Sequence, residues 1–318
     1  MLLSHALRGM WQHPSENFTV SNIRYFSKHK GEVNCCAFSP DCQNLLTCCD
    51  DGKLYLWEAT SAKLLATVSG HTGPVKSCAF SADGQLFVSG SYDCTVRIWR
   101  SASTECVYIL SAHTRSVETV SFSPDGQWLV SGGWDNRALI WSVQSSEMVQ
   151  ELLGHTAAVQ SSTFSSDSQL VATGSWDRSV RVWTLQDRKE VAILQGHLGN
   201  VACLSFSVTG MLASGSWDGT VRVWLPRQHT CLFLLRGFER VWVKSLAFSR
   251  DGLVLASTAE GDMVRIWDME TGTCLQCLQG HKDSAYGCVF TPGGQLLTSG
   301  SDQLDVGEED KTAQRKEG

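Results

Sequence analysis

The sequence predicts an all-β chain folded as a seven-bladed β-propeller of four-stranded antiparallel blades. Three observations carry that prediction. His29, His71, His113, His155 and His197 stand 42 residues apart. Trp57, Trp99, Trp141 and Trp183 keep the same interval, and Trp224 and Trp267 follow at 41 and 43. A Phe marks the middle of every unit, at Phe38, Phe80, Phe122, Phe164, Phe206, Phe248 and Phe290. A period of about 40–45 residues holding four short strands is the pattern of a propeller blade. Blades share one continuous core, which overrules the two-domain prior that 318 residues would otherwise give.

The elements follow from alternation and chain breakers. In the second unit VKSCAF (75–80) is a strand that stops at the turn Ser81-Ala82-Asp83-Gly84. QLFVSGS (85–91) and CTVRIW (94–99) are the next two, and ECVYIL (105–110) is the fourth, leading into Ala112-His113. Period-two patterning bounded by Asp-Gly and Ser-rich turns is the hairpin signal. The turn into the third strand recurs in close copies: GSYDCTVRIW (90–99), GGWDNRALIW (132–141), GSWDRSVRVW (174–183) and GSWDGTVRVW (215–224).

The ends are irregular. The sixth unit has Phe238 where the His belongs and Gly261 where the turn Asp belongs, so its blade is expected to be less stable locally. The seventh has His281, Phe290 and TSGSD and then loses the pattern. Its third strand would have to come from QLDVGEED (303–310), a poor strand with clustered acids. Its fourth can come from FTVSNIRYF (18–26), which alternates well and would seal the ring without an exposed edge. The expected organisation is a flexible N-terminus over 1–17, one propeller domain over 18–302 with an incomplete seventh blade, and a disordered tail over 303–318.

Composition narrows the function classes. With 42% hydrophobic and 18% charged residues the chain is ordinary for a soluble globular protein, and a net charge of -6 gives no reason to expect nucleic acid. No apolar run approaches the roughly 18 residues that span a bilayer. The first residues, MLLSHALRGMWQH, have too short an apolar segment for a signal peptide, Gly is absent from position two, and RKEG is no prenylation box. An intracellular protein, cytoplasmic or nuclear, is expected, and the Asn17-Phe18-Thr19 sequon is read as a chance match. The 13 Cys are spread through strand-like segments, and the many beside apolar residues (Cys35, Cys36, Cys78, Cys203 and Cys288 among them) read as small buried hydrophobes in a reducing compartment. Cys274 and Cys277 form the only CxxC, without a second pair, so no metal and no cofactor are expected.

Gly70-His71, Gly154-His155, Gly196-His197 and Gly280-His281, with the closing Trp of each unit, resemble the WD-repeat β-propeller family over about residues 20–302. The closing dipeptide departs from that pattern. Only Trp267-Asp268 reads WD, and Glu58, Arg100, Ser142, Thr184 and Leu225 stand in place of the Asp elsewhere.

Each of the first five units carries His, Ser or Thr, Asp and Trp at fixed offsets. In units two to five these are His71, Ser89, Asp93 and Trp99; His113, Ser131, Asp135 and Trp141; His155, Thr173, Asp177 and Trp183; and His197, Ser214, Asp218 and Trp224. His, Ser and Asp together invite a nucleophilic-triad reading. A catalytic constellation is needed once, however, and this set recurs with a Trp added to each copy. The resemblance implies instead a structural hydrogen-bonded chain of Trp, hydroxyl, His and Asp. Arg97, Arg181, Arg222 and Arg265 recur in the third strand and read as solvent-facing. No GxGxxG, P-loop, HExxH or paired-carboxylate motif stands out, and no enzyme is expected.

The resemblance also implies where a partner would bind: just before the turn Asp, and three and five residues after the His. The first position holds Asp50, Tyr92, Trp134, Trp176, Trp217 and, in the broken sixth turn, Glu260. The other two hold Glu32 and Asn34, Pro74 and Lys76, Ser116 and Glu118, Ala158 and Gln160, and Asn200 and Ala202. A one-residue insertion makes them Trp242 and Lys244 in the sixth unit, and the seventh offers Ser284 and Tyr286. Tyr92, Trp134, Trp176, Trp217, Trp242 and Tyr286 would then ring one mouth, with Glu32, Lys76, Glu118 and Gln160 among them. The competing reading makes each such Trp a spacer packed on its neighbouring blade. The function expected is a non-enzymatic protein-protein interaction scaffold that binds a peptide or domain on this face, as a monomer or as a subunit of a complex. Two alternatives accompany it. One is a substrate receptor of a ubiquitin ligase, for which Trp224-Leu225-Pro226-Arg227 has the Arg but lacks the Asp. The other is a reader of basic histone-like tails through Glu32, Asp50 and Glu118.

Overall fold

The computed structural model describes residues 26, 28–238, 241–260, 263–279, 285–290 and 296–300. They form six four-stranded antiparallel sheets and one two-stranded sheet, each joining strands in chain order. The one helical element among the described residues is a 3₁₀ turn at Pro226–Gln228. Blade four is representative, with strands Val159–Phe164, Leu170–Ser175, Val180–Thr184 and Glu190–Leu194 running from the inside outward.

The innermost strands lie side by side around the axis: Val33–Phe38, Val75–Phe80, Val117–Phe122, Val159–Phe164, Val201–Phe206, Val243–Phe248 and Ala285–Phe290. The last of them lies beside the first, so the ring closes through its inner strands. The seventh unit contributes two strands among the described residues, Ala285–Phe290 and Leu296–Gly300. The segments expected to complete it (18–25 and 303–310) lie outside the described residues, as do the N-terminus over 1–17 and the tail over 303–318.

The hairpin between the first two strands of a blade is set by a Ser and an Asp. The Ser81 hydroxyl donates to the Asp83 carboxylate, the Leu86 amide donates back to Ser81 Oγ, and the Gln85 amide donates to Asp83 Oδ1. The same Ser–Asp pair recurs at Ser39 and Asp41, Ser123 and Asp125, Ser165 and Asp167, and Ser249 and Asp251. A side chain that satisfies turn amides in this way favours the turn over continued strand.

Core forms between blades rather than within them. Val130, Ala138, Ile140 and Leu152 of blade three pack on Val159, Val171 and Trp183 of blade four. The glycine before the turn marks where this contact is tightest: a Cβ on Gly174 would stand 2.7 Å from Val201 Cγ1. One sequence reading needs correction here. Arg97, Arg181, Arg222 and Arg265 are not solvated rows but half-buried, with each Nε sequestered from water. Arg97, Arg181 and Arg222 fold over the Gly of the Gly-His pairs at 70, 154 and 196, and Arg222 donates to the Gly196 carbonyl at 2.9 Å. A side chain at Gly154, whose φ is +149°, would displace the Arg181 guanidinium.

Gly174→Ala should therefore destabilise the protein by about 1–3 kcal/mol in urea unfolding, as overpacking does. Paired with Val201→Ala, the loss should be less than the sum of the two single losses, because the two changes relieve the same contact.

Candidate functional site

In blade four the Trp183 indole N–H donates to Thr173 Oγ1 (3.2 Å), and Thr173 and His155 Nε2 lie 2.9 Å apart. His155 Nδ1 lies 2.7 Å from the Asp177 carboxylate. An ionised Asp only accepts, so Nδ1 carries the proton and Nε2 accepts from the hydroxyl, which leaves every member satisfied. His71 joins Ser89 and Asp93, with Trp99 donating to Ser89. His113 joins Ser131 and Asp135, with Trp141 donating to Ser131. His197 joins Ser214 and Asp218, with Trp224 donating to Ser214. Each Asp also takes the amide of the residue after its His, as in Thr72, Thr114, Thr156 and Leu198. All four imidazoles are buried, as are the hydroxyls of Ser89, Ser131, Thr173 and Ser214.

Blades one and six deviate. In blade one His29 and Trp57 share Thr47, while Asp51 takes the hydroxyl of Tyr55. In blade six Trp267 donates to Ser257 and the chain goes no further. Phe238, only 1% exposed, fills the histidine's place in a wholly apolar cluster under the Arg265 guanidinium. Gly261 lies outside the described residues.

Two backbone features place the mouth residues. The amide of the residue before the turn Asp donates to the carbonyl three residues after the His: Tyr92 to Pro74, Trp134 to Ser116, Trp176 to Ala158 and Trp217 to Asn200. Asp50 to Glu32 and Glu260 to Trp242 make the same bond in blades one and six. The residue five after the His, or six after Phe238 in blade six, is a β-bulge in every blade. Lys76, Glu118, Gln160 and Ala202 have no cross-strand partner, and the register resumes on either side of them. Asn34, Lys244 and Tyr286 take the same place. A bulge bends its strand and re-aims one side chain. Sequence alternation carries no trace of it.

Among the described residues, four of the aromatic residues form a contiguous arc. Trp134 meets Trp176 edge-on (centroids 4.6 Å), Trp176 tilts against Trp217 (5.2 Å), and Trp217 stacks on Trp242 (4.2 Å, 10°). The Trp176 indole donates to Gln160, and the Lys244 ammonium stands over the Trp242 ring at 5.1 Å. The ends of the row stay open, Trp134 at 40% and Trp242 at 38% exposed. Tyr92, at 63% exposed, stands apart across a concavity of about 810 Å³ lined by Lys76, Glu118 and Trp134 among others. The side chain of Tyr286 lies outside the described residues, as does Ser284.

Blade one is polar at this mouth. Lys76 pairs with Asp50 at 2.8 Å, and Asn34 donates to Asp50 and to the Val75 carbonyl. Burial works against ionisation of Asp50, but Asn34 and Lys76 together hold its carboxyl below the usual range. Of the acids expected to meet a basic tail, Asp50 is thus already neutralised by Lys76. Glu32 is exposed, and Glu118 accepts from Ser116.

The cysteines divide. Cys203 is buried and Cys288 half-buried, and desolvation pushes the Cys288 thiol up to about 12. Cys106, Cys231, Cys274 and Cys277 are exposed, and of the cysteines expected to be buried Cys35, Cys36 and Cys288 are only half-buried. Cys35, Cys48 and Cys78 meet in space with their sulfurs within 4.8 Å of one another, a grouping their spacing does not reveal because it spans two blades.

The chain of hydrogen bonds is pH-sensitive in two windows. Burial lowers the pKa of His71 below its usual 6.5, opposed by Asp93. Burial would raise Asp93, but Thr95, the Thr72 amide and His71 outweigh it and hold that carboxyl at about 2. As pH falls through about 6.5 the unfolded chain takes up the His71 proton first, so the folded state loses stability. The contribution of Asp93 is intact above about pH 4 and is lost as pH falls toward 2. The urea midpoint should fall in two steps, and His71→Gln should reduce the upper one. Thr173→Val strands both Trp183 and His155, and should cost about 2–4 kcal/mol; Ser257→Ala strands Trp267 alone and should cost about 1–2 kcal/mol, measured the same way.

Seven segments match the family described as WD domain, G-beta repeat: residues 20–58, 62–100, 104–142, 146–184, 188–224, 229–268 and 272–304. Among curated proteins the chain is similar to WD repeat-containing protein 38 of Mus musculus, 50% identical over 51 residues, covering 16% of this chain and 17% of that protein. The Homo sapiens protein of the same name is 50% identical over 51 residues, or 16% of each. WD repeat and SOCS box-containing protein 1 of Homo sapiens is 36% identical over 59 residues, 18% of this chain and 14% of that protein. The aligned stretches thus span less than a fifth of those relatives. With seven matched repeats and a closed ring of inner strands, the chain belongs to the WD40 family of β-propellers.

Proposed function

We propose that this protein is a non-enzymatic interaction scaffold that holds a peptide or small domain against the tryptophan arc of one propeller face. The observation that carries the reading is the contiguous row Trp134, Trp176, Trp217 and Trp242, open at both ends and bordered by the concavity between Tyr92 and Trp134. Trp and Tyr give large rigid contact area at low entropic cost, and truncating such anchors commonly costs 2 kcal/mol or more in binding. Lys76 and Glu118 at the same concavity supply polar groups that would fix a partner's register. The mutual packing of the four rings also serves the spacer role, and the two roles are compatible because the end rings stay exposed. Under this reading no residue of the mouth acts as acid, base or nucleophile, and the partner is a protein rather than nucleic acid or membrane. Among the described residues no helix is long and apolar enough to cross a bilayer.

A second reading, a substrate receptor of a ubiquitin ligase, draws on a different place. Arg227, in the 3₁₀ turn after Trp224, has a side chain 73% exposed near Asp167, where an adaptor could reach it. That reading concerns docking of the scaffold, not capture at the tryptophan arc.

Trp134→Ala combined with Trp242→Ala removes the two open ends and leaves the central pair in place. Cross-linking in soluble extract followed by mass spectrometry should lose the specific partners by at least tenfold, while the melting temperature shifts by only a few degrees. Unchanged recovery would move the binding surface elsewhere, and loss of folding would assign the rings to the framework alone. Arg227→Ala should leave this recovery intact and remove a ubiquitin-ligase adaptor only under the second reading.

A further inference from the structure

Cys35 and Cys48 face each other in register on the inner and second strands of blade one, and Cys78 arrives from the inner strand of blade two. Cys48 and Cys78 are buried and Cys35 is half-buried. The repeat itself marks this as a departure. At the place of Cys48, blades two to five carry Gly90, Gly132, Gly174 and Gly215. Above Gly90 and Gly174 the space is filled by the next blade's Val117 and Val120, and by Val201 and Leu204. Where those seams use a glycine under apolar side chains, the first seam uses three thiols. It is the one group of three or more His, Cys, Asp or Glu ligand atoms this close among the described residues.

We propose that Cys35, Cys48 and Cys78 form a binding site for a thiophilic d10 metal ion, Cu(I) or Zn(II), held by three thiolates between the first and second blades. The sulfurs lie within 4.8 Å of one another. At that widest spacing the point equidistant from all three is about 2.8 Å from each, against about 2.3 Å for a metal–thiolate bond. Shifts of about half an ångström per side chain close the site. Thiolate ligands select Cu(I) and Zn(II) over hard cations. Three-coordinate Cu(I) needs nothing further, whereas Zn(II) requires a fourth ligand such as water. On binding, each thiol passes its proton to solvent and no electron moves. The ion ties blade one to blade two, and because it binds the folded chain it raises stability by mass action.

The reduced, metal-free full chain titrated anaerobically with Cu(I), Zn(II) or Cd(II), the last as a spectroscopic stand-in for zinc, tests the site. One equivalent of Cu(I) or of Cd(II) should produce an ultraviolet thiolate-to-metal charge-transfer band, with proton release and a higher melting temperature. Zinc should give the proton release and the melting shift. Whichever ion saturates at one equivalent identifies the resident class. Cys48→Gly with Cys78→Val copies the Gly90–Val120 packing of the seam between blades two and three, so it should fold without metal and lose both the band and the melting shift. If that variant fails to fold, Cys35→Ala carries the same comparison. Cys274→Ser with Cys277→Ser removes the exposed pair, whose sulfurs are 3.8 Å apart, and should leave the band intact. Absence of stoichiometric binding of all three ions, a band that survives loss of the buried thiols, or a band lost with the exposed pair would each overturn the proposal.

Discussion

A buried imidazole that donates on one nitrogen and accepts on the other is the interaction on which blades two to five depend. In blade four it joins the loop before the inner strand, through His155, to the second strand, through Thr173, and to the turn before the third, through Asp177. Trp183 anchors the far end of the chain from the third strand itself. Three connections that would otherwise be independent become one rigid unit, because in a low-dielectric interior each partner is costly to leave unpaired. A separate backbone bond, from the Trp176 amide to the Ala158 carbonyl, holds two surface positions from distant parts of the blade at a fixed separation, and it forms also in blades one and six, where the histidine chain is incomplete.

The fold was legible because its signals are periodic. His, Phe and Trp at intervals near 42, with Ser–Asp hairpins between them, leave little freedom in strand assignment, and the closing Trp positions coincide with the third strands. The histidine chain was implied by the family resemblance, because its members recur at fixed offsets within one unit. Features that depend on contact between units were not legible. The alternation of the third strand sends Arg181 outward, yet the neighbouring Gly154 leaves a hollow that the guanidinium covers. The grouping of Cys35, Cys48 and Cys78 was invisible for the same reason, since Cys78 belongs to another blade.

The mouth falls between these cases. The resemblance implied its residues by their offsets to His and Asp, but not their mutual arrangement. Nothing in the spacing indicates that Trp217 and Trp242 stack nearly parallel while Trp134 meets Trp176 on edge, or that Tyr92 stands apart. Nor does it indicate that Asp50 and Lys76 spend their charges on one another. Side-chain direction is decided by the turn and the bulge, and the bulge has no composition of its own: Lys76, Glu118, Gln160 and Ala202 share neither size, charge nor polarity.

A residue without a cross-strand partner is released from the pairing preferences that constrain the rest of a sheet. Lys76 and Ala202 occupy equivalent sites with the same flanking register, so the framework tolerates either. Each blade therefore carries an exchangeable position on an invariant mount, and neighbouring blades can be varied independently. Chemical identity at the mouth is separable from foldability, in the way that type is separable from the frame that holds it.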